Sequence, residues 1–435
     1  MHILDIIEAK RDGKALTEEQ ISFFVEGVAN RSFPDYQISA FLMAAFIRGL
    51  NEEESAYLTK KMAETGDTVD LGFAGGKVAD KHSSGGVGDK TTLAVAPMVA
   101  AAGLKVAKMS GRGLGFTGGT LDKLESIPGF SVNITADEFK KYVARDGISV
   151  IGQTTTVAPV DKVLYKLRDV TGTVPSIPLI AASIMSKKLA VNSDAVVLDV
   201  KTGSGAFMKT TEESITLAEK MVQIGLSNGR TTVAAVTDMS NPLGRAVGNS
   251  LEDIEAIDTL RGNGPDDFTE LCLTIATLML TSSGLYPDEE SALAKLCEVI
   301  ADGSALGKLR QMVKNQGGDV RYIDDPDLFE KASIVESFVA ERDGYINAIE
   351  TEAVGRASTA LGAGRYTAED VIDFAAGITV EKKVGNYVKK GDVLLHLYTN
   401  RLESLAEAKE ILAGAYTIND NECKRAPIVH KIIRG

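Results

Sequence analysis

The sequence contains no tryptophan, three cysteines and four histidines among its 435 residues. The cysteines are far apart and form no CxxC pattern, which argues against a cysteine-based metal site and is typical of a reducing compartment, so we expect a cytoplasmic protein. The longest apolar run, residues 93–104, includes a proline and a glycine and is well short of the roughly 20 residues that cross a bilayer. Acidic residues interrupt the apolar amino-terminal run, unlike a signal peptide. No membrane partner is expected.

Positive charge is also in short supply, since the formal net charge is −13. Nucleic-acid backbones require clustered lysines and arginines, so this balance argues against a nucleic-acid partner but leaves room for a local basic pocket. The motifs HExxH and GxxxxGK[ST] do not occur, which argues against a zinc protease and a P-loop nucleotide site.

The chain is long enough for two or three domains, and its hydrophobic patterns fall into three groups. Helical spacing dominates residues 1–65, beginning with a capping box at residues 17–20, and it returns at residues 160–192. Strands alternate with helices over residues 70–155 and 195–330, and residues 345–435 are rich in strand patterns. We predict an α/β multidomain protein with a discontinuous helical domain, a larger α/β domain built on a mainly parallel sheet, and a C-terminal β-rich, barrel-sandwich-like α+β domain.

A glycine-rich loop leads into a predicted helix of the α/β region, with the sequence KHSSGGVGDKTT at residues 81–92. Its glycines allow the backbone N–H groups to approach a ligand closely. Lys81 supplies charge, Ser83 and Thr92 supply hydroxyl groups, and His82 can exchange a proton near neutral pH. The loop therefore predicts a site for an anionic substrate at the carboxyl edge of the sheet.

A second glycine-rich loop, residues 110–120, has three interpretations. Residues 113–118 match GxGxxG, and Glu138 lies near the offset expected for a ribose contact, which would indicate dinucleotide binding. The loop could also be a connecting turn only. We favour a second wall of the anion site, with Lys108, Ser110 and Thr120 as donors, because these residue types match those of the first loop.

A third group of polar residues lies on predicted helices. Ser183 and Lys187 are four residues apart, so they share a helix face, and Arg168 lies on the preceding helix. Together they could hold a planar polar group such as a nucleobase. Lys188 is expected to be an ordinary solvated charge, and no site role is assigned to the three histidines outside the first loop.

The segment at residues 384–395 predicts a strand, a turn and a second strand. It resembles the hairpin of lipoyl- or biotin-carrier domains, in which a lysine at the turn is modified, and Lys389 and Lys390 are the candidates. A non-catalytic carrier is therefore one alternative, although we prefer a small β domain that stabilises the rest.

Residues 81–83, 110–125 and 199–207 resemble the thymidine and pyrimidine-nucleoside phosphorylases, and the resemblance covers essentially the whole chain. It implies a homodimer that cleaves uridine, thymidine and deoxyuridine reversibly, giving free base and (deoxy)ribose 1-phosphate. Inorganic phosphate would be the co-substrate, with no organic cofactor. A strict thymidine enzyme and a phosphoribosyltransferase of the anthranilate type remain alternatives.

The resemblance also implies roles for individual residues. Those that would hold phosphate are Lys81, Ser83, Thr92, Lys108, Ser110 and Thr120. Those that would surround the base are Tyr165, Arg168, Ser183, Lys187, Leu114 and Phe207, with His82, Arg168 and Lys187 acting in catalysis. A structural potassium site would be formed by Gly88, Lys90, Leu243, Ala246 and Glu255. The family more often has a small hydroxyl residue at position 90, where this sequence has a lysine.

Overall fold

The computed structural model describes residues 1–113, 116, 118–152, 156–367 and 369–435. The α-helices are α1 (Ile3–Arg11), α2 (Glu18–Ala29), α3 (Asp35–Arg48), α4 (Glu52–Glu64), α5 (Thr91–Ala101), α6 (Thr120–Leu124), α7 (Ala136–Asp146), α8 (Pro159–Thr171), α9 (Ile177–Leu189), α10 (Thr211–Ser227), α11 (Asn249–Leu260), α12 (Asp266–Ser282), α13 (Glu289–Ala301), α14 (Ser304–Asn315), α15 (Arg321–Asp324), α16 (Thr351–Ser358) and α17 (Ser404–Leu412). Among the described residues, no helix is long and apolar enough to cross a membrane.

The strands form several sheets. They are β1 (Val69–Asp70), β2 (Ala79–Ser83), β3 (Val106–Ser110), β4 (Ile148–Gly152), β5 (Val191–Asn192), β6 (Ala195–Thr202), β7 (Thr231–Asp238), β8 (Ala246–Val247), β9 (Ile334–Val339), β10 (Gly344–Ile349), β11 (Gly377–Val380), β12 (Tyr387–Val388), β13 (Val393–Thr399), β14 (Tyr416–Asn419) and β15 (Val429–Arg434).

The helical domain is assembled from two separate stretches of the chain. Apolar residues of α1–α4 share one core with residues of α8 and α9, including Leu164 and Leu179. The predicted capping box is present at α2, where the Thr17 hydroxyl accepts from Gln20 N and the Gln20 side chain returns to Thr17 N. The predicted discontinuous helical domain is thus confirmed.

Helix α9 belongs to two cores at once. Leu179 and Ala182 pack into the helical domain, whereas Ala181 and Met185 pack against the main sheet and α10. Residues one or two positions apart on a helix face different directions, so the two sets lie on different sides of α9. The helix is therefore the shared wall between the helical and the α/β domains.

The main sheet has the strand order β15-β7-β6-β2. Strands β2, β6 and β7 are parallel, and β15 pairs antiparallel with β7. A parallel pair of β3 and β4 continues beside β2 through a bridge between Val78 and Lys105. All eight residues of β6 are buried, as expected for a parallel strand covered by helices on both faces. The predicted mainly parallel α/β sheet is confirmed.

The C-terminal region contains two antiparallel sheets, β12-β10-β14 and β8-β11-β13-β9. The expected hairpin at residues 384–395 is wrong, because β12 pairs with β10 while β13 pairs with β11 and β9. The turn between them is instead held to neighbouring loops, with Lys390 N donating to Asp343 and Gly391 N donating to the carbonyl of Ala340. The strand pattern was visible in the sequence, but the pairing partners are set by distant segments.

The α/β and C-terminal domains exchange strands. β8, from the α/β stretch, pairs with β11 of the C-terminal sheet. β15, from the C-terminal stretch, pairs with β7 of the main sheet. These two strands connect the domains through backbone hydrogen bonds in addition to side-chain packing.

Candidate active site

Three glycine-containing turns meet at one edge of the α/β domain. They follow β2, which ends at Ser83, β3, which ends at Ser110, and β6, which ends at Thr202. These strands run parallel, so their carboxyl ends share an edge, which is where open α/β sheets bind ligands. Of the predicted phosphate residues, Lys81 and Lys108 are in direct contact, because the Lys108 ammonium donates to the backbone carbonyl of Lys81.

Acidic partners hold the first loop in place. The Lys81 ammonium is 4.0 Å from both Asp89 Oδ1 and Asp199 Oδ2, and it contacts the Thr91 hydroxyl. Asp89 also accepts hydrogen bonds from Ser83 Oγ and, at 2.6 Å, from Thr91 Oγ1. The two carboxylates position Lys81 at long ion-pair distances, which leaves its charge available to an anion.

Asp80 is shared by two buried lysines. Its Oδ1 lies 3.2 Å from Lys108 Nζ and its Oδ2 lies 2.7 Å from Lys188 Nζ. Burial lowers the pKa of Lys108 to about 7, assisted by the neighbouring ammoniums and opposed by Asp80. The expectation that Lys188 is solvated is wrong, since only 5% of this residue is exposed.

His82 lies beside the same cluster. Burial, followed by the charges of Lys188 and Lys108, holds the pKa of its imidazole well below the ordinary value of 6.5. Asp80 opposes this shift, and Lys187 adds to it. The imidazole is therefore neutral at physiological pH, and one ring nitrogen carries a proton that can be donated in a hydrogen bond.

The second loop is described only in part, and Leu114, predicted to line the base pocket, lies outside the described residues. Ser110 and Thr120 are half-buried at its two ends. Arg112 and Arg365 both donate to Asp122 Oδ1, at 3.0 and 2.7 Å. This carboxylate thus attaches the loop to the C-terminal domain.

Glu138, considered as a ribose contact, has a structural role instead. Its carboxylate accepts hydrogen bonds from the backbone and hydroxyl of Thr135 and forms the capping box of α7. Glu138 is therefore not available as the acidic ribose contact that a dinucleotide site would require.

Four of the six predicted base residues lie on α8 and α9. The Lys187 ammonium is 3.4 Å from Ser183 Oγ and forms an ion pair with Asp161 of α8. The Arg168 guanidinium donates to the backbone carbonyls of Thr173, Val174 and Leu179. It is therefore fixed between the two helices.

Two aromatic residues predicted to lie near the base have exposed rings. Tyr165 is 48% exposed, and its ring lies 5.9 Å from the Arg168 guanidinium carbon. Phe207, in the turn after β6, is 56% exposed and has a ring centroid 5.9 Å from that of Phe116 in the second loop. Exposed aromatic faces beside a polar cluster are suited to packing against a planar ligand.

A small cavity of about 20 Å³ lies between the sheet strands and α9. Asp80 and Met109, from the sheet, line it together with Lys187 and Lys188 of α9. The cavity has room for about one water molecule, and it marks the place where the lysine cluster lies against α9.

Sequence reasoning missed most of the acidic residues that organise the cluster, namely Asp80, Asp89, Asp161 and Asp199. A usable signal existed for one of them. Asp199 lies between the buried apolar residues Leu198 and Val200 of β6, and a charge in a buried strand requires a partner.

The five residues implied for a potassium site also come together. However, Lys90 Nζ lies 2.7 Å from the carbonyl oxygen of Leu243, 2.8 Å from that of Ala246 and 2.7 Å from Glu255 Oε1. A metal ion on these oxygens would be within a few ångströms of the ammonium, and like charges so close in a buried site repel strongly. The residues present do not fit a potassium ion.

Comparison with known proteins identifies the family of each part of the chain. Residues 4–66 match the helical bundle domain and residues 75–306 match the α/β domain of the glycosyl transferase family. Residues 345–419 match the pyrimidine nucleoside phosphorylase C-terminal domain. Among solved structures, anthranilate phosphoribosyltransferase from Thermus thermophilus aligns with a TM-score of 0.58 at 18% identity, over 72% of this chain and 99% of that one. This likeness concerns the fold alone.

Curated relatives match over the full length. The chain is 51% identical to a pyrimidine-nucleoside phosphorylase of Staphylococcus haemolyticus and 51% identical to one of Bacillus subtilis, covering 100% of both partners in each case. It is 53% identical to the enzyme of that name from Geobacillus stearothermophilus over 95% of each chain. With the C-terminal domain match and the lysine cluster at the sheet edge, this relation establishes that the chain belongs to the pyrimidine-nucleoside phosphorylase family.

Proposed function

We propose that this chain catalyses the reversible phosphorolysis of uridine, thymidine and deoxyuridine, giving the free pyrimidine and (deoxy)ribose 1-phosphate. The observation that carries the proposal is the contact region in which Asp80, the partner of Lys108, lies beside Lys187 across a small cavity. An anion held by the glycine loops and a base held by α8 and α9 would there lie side by side.

Phosphate is held by the ends of the first two loops. Lys81 and Lys108 supply charge, and the hydroxyl groups of Ser83, Thr92, Ser110 and Thr120 supply hydrogen bonds. Thr92 lies in the first turn of α5, where the backbone N–H groups and the helix dipole also favour an anion. A phosphate oxygen is thereby presented to C1′ of the sugar.

The base is held from the opposite side. As the bond from phosphate oxygen to C1′ forms and the glycosidic bond breaks, the electron pair of that bond passes to the base. The charges of Arg168 and Lys187 stabilise the resulting anion, and Ser183 adds a hydrogen bond. Tyr165 and Phe207 pack near the ring.

His82 acts as a neutral hydrogen-bond donor to O2 of the departing base. Its lowered pKa supports this role over that of a protonated acid. The base anion takes its proton afterwards, from water or through the imidazole. Catalysis is then largely positioning and electrostatic stabilisation.

The direct test is release of free base from uridine, thymidine and inosine, each with and without phosphate. Phosphate-dependent release from uridine and thymidine, with none from inosine, is the expected result. Release from thymidine alone would narrow the enzyme to a strict thymidine phosphorylase. No release would overturn the proposal, and turnover of phosphoribosyl diphosphate in its place would support the anthranilate-type alternative.

A carrier function has a separate test. Lys389 and Lys390 are exposed, but the hairpin on which that interpretation depended is not formed. Intact mass of the protein purified from cells is expected to equal the sequence mass, whereas an added lipoyl or biotinyl group would revive the carrier interpretation.

We also propose a cytoplasmic homodimer that pairs through the helical domain. Large apolar residues are exposed on α3, including Tyr36 at 74% and Ile47 at 68%. Exposed apolar groups clustered on one helix are characteristic of a protein interface. Light scattering is expected to give twice the chain mass, and Ile47→Glu is expected to shift the protein toward monomer.

The domain boundaries belong to the same proposal: residues 1–65 and 160–192 form one body, and residues 70–155 and 195–330 form another. Substrate bound between them would favour their closure, which excludes water from the reacting atoms. No potassium ion takes part in the proposed reaction.

A further inference from the structure

We infer that the Lys90 ammonium replaces a monovalent metal ion and holds the first glycine loop without any bound cation. The inference rests on the disagreement between the cation site implied for this family and the side chain that fills it here. Lys90 is 1% exposed. Its ammonium contacts oxygen atoms of a distant segment of the chain, which begins at Leu243, 153 residues away in sequence.

The contacts account for every proton of the ammonium. A lysine carries three N–H donors and no acceptor. Three oxygens lie within 2.8 Å of Nζ, from Leu243, Ala246 and Glu255. The carboxylate balances the charge, and the Phe268 ring, 5.2 Å away, adds a favourable aromatic face. No donor is left over to require another partner.

Two glycines make this close approach possible. Gly88 has φ +73°, and a Cβ there would lie 2.8 Å from the Leu243 carbonyl oxygen. Gly244 has φ +65°, and a Cβ there would lie 2.0 Å from Glu255 Oε1 and 3.1 Å from Lys90 Nζ. The backbone is thus shaped around the ammonium on both sides.

The cage connects directly to the proposed phosphate site. Lys90 immediately precedes α5, whose first residues are Thr91 and Thr92. The carbonyl of Val87, in the same loop, accepts from Leu243 N at 3.0 Å. The loop is therefore fixed at both of these points to the segment before α11. Lys90 is a positioning residue, and its expected effect on phosphate rests on the function proposed above.

A smaller residue at position 90 would leave the oxygens without their cation. Lys90→Thr removes the ammonium but keeps the three oxygens, and a hydroxyl group is added at the cap of α5. Ala246 and Glu255 also line an open cavity between the α/β and C-terminal domains, which gives a small ion a route inward. Lys90→Met is the matched control, because it fills the space with an apolar chain.

The first experiment compares KCl with choline chloride at equal ionic strength, on the wild-type protein. Choline is too large for the cage and has no N–H donor. The expected result is the same melting temperature and the same KM for phosphate in both salts. A melting temperature that rises specifically with KCl would overturn the inference, and this readout requires no catalytic activity, so it is independent of the proposed function.

The second experiment repeats the comparison with the variants. Lys90→Thr is expected to melt at a lower temperature in choline chloride and to recover in KCl, with its KM for phosphate falling by about fivefold or more. Lys90→Met is expected to be destabilised in both salts. A Lys90→Thr protein that matches wild type in choline chloride, or that stays destabilised and indifferent to KCl, would contradict the exchange of ammonium for metal.

Discussion

The Lys188 ammonium lies 2.7 Å from Asp80 Oδ2, and this ion pair joins α9 to β2. Both residues are buried, at 5% and 7% exposure. It therefore links the helix shared with the helical domain to the strand that leads into the first glycine loop, at the cavity between the proposed phosphate and base sites.

Lys188→Met is expected to lower the free energy of unfolding by about 3 kcal/mol, because it leaves a buried carboxylate with one partner fewer. Chemical denaturation at pH 7 measures this loss. Lys166→Met is the control, since Lys166 is exposed on α8 and its replacement is expected to change stability by less than about 0.5 kcal/mol. Equal losses in the two variants would show that the pair contributes nothing specific.

Lys187→Ala is expected to reduce kcat/KM for uridine by an amount equivalent to at least about 2 to 3 kcal/mol of transition-state stabilisation, because it removes the charge that faces the departing base. Steady-state kinetics at saturating phosphate measures the change, with Lys166→Ala as the exposed-lysine control. Near-normal activity of Lys187→Ala would remove this residue from the mechanism.

His82→Ala is expected to be milder than Lys187→Ala, because a neutral hydrogen-bond donor contributes less than a charge. Since the imidazole pKa is held well below 6.5, the wild-type profile of kcat/KM is expected to show no limb near that pH. A loss as large as that of Lys187→Ala, together with a limb near pH 6.5 that the variant lacks, would show that a protonated His82 is essential.

The lowered pKa of Lys108 leads us to expect that kcat/KM for phosphate depends on pH near neutrality. Its pKa of about 7 in the free protein means that the ammonium is charged below that pH and neutral above it, so kcat/KM for phosphate is expected to fall as pH rises above about 7. Lys108→Arg is expected to flatten this limb, because a guanidinium does not titrate there. Identical profiles would exclude Lys108 as the titrating group.

The lowered pKa of Lys108 makes folding stability rise with pH, whereas it makes kcat/KM for phosphate fall. An unfolded lysine keeps its proton up to pH ~10, whereas the folded one releases it near 7. Between these values the unfolded chain binds more protons, so this group makes stability increase with pH. Phosphate affinity and the Lys108 contribution to stability should therefore change in opposite directions over the same range.

The ion pairs of Asp267 join α12 to two residues of the C-terminal domain, and we expect them to stabilise the fold. Its Oδ2 lies 2.6 Å from both Lys383 and Arg425, and although burial acts to raise its pKa, these charges lower it to about 2. Asp267→Asn is expected to lower the melting temperature at pH 7, with the exposed neighbour Asp266→Asn as control. The carboxylate stabilises the fold above pH ~4 and loses this effect as pH falls toward 2. The difference between the variant and wild type should shrink over that interval.

Local sequence patterns predicted much of the secondary structure and the division into domains. The helical spacing of residues 1–65 and the alternation of strands and helices over residues 70–155 were readable because hydrophobic periods and glycine turns are properties of neighbouring residues. Ser183 and Lys187 share a face for the same reason. The donors of the glycine loops and the base-side residues Arg168, Ser183 and Lys187 could thus be named from local patterns, whereas Tyr165 and Phe207 were named only through the family resemblance.

Long-range partners could not be read in this way. Lys188 looked solvated because its partner, Asp80, is 108 residues away in sequence. Residues 384–395 looked like a hairpin because nothing local shows that β12 and β13 join different sheets. In both cases the competing contact came from a segment that only the complete fold brings near.

The exchange of strands has a consequence for how the protein is made. β7 is paired on one side by β6, and its other edge is completed by β15, which is synthesised only after the strands of the C-terminal domain. Until then a nascent chain presents an open, mostly apolar strand edge, the kind of surface that pairs with other chains. The main sheet can therefore be completed only after β15 has been synthesised, and binding by a chaperone would be most useful before that point.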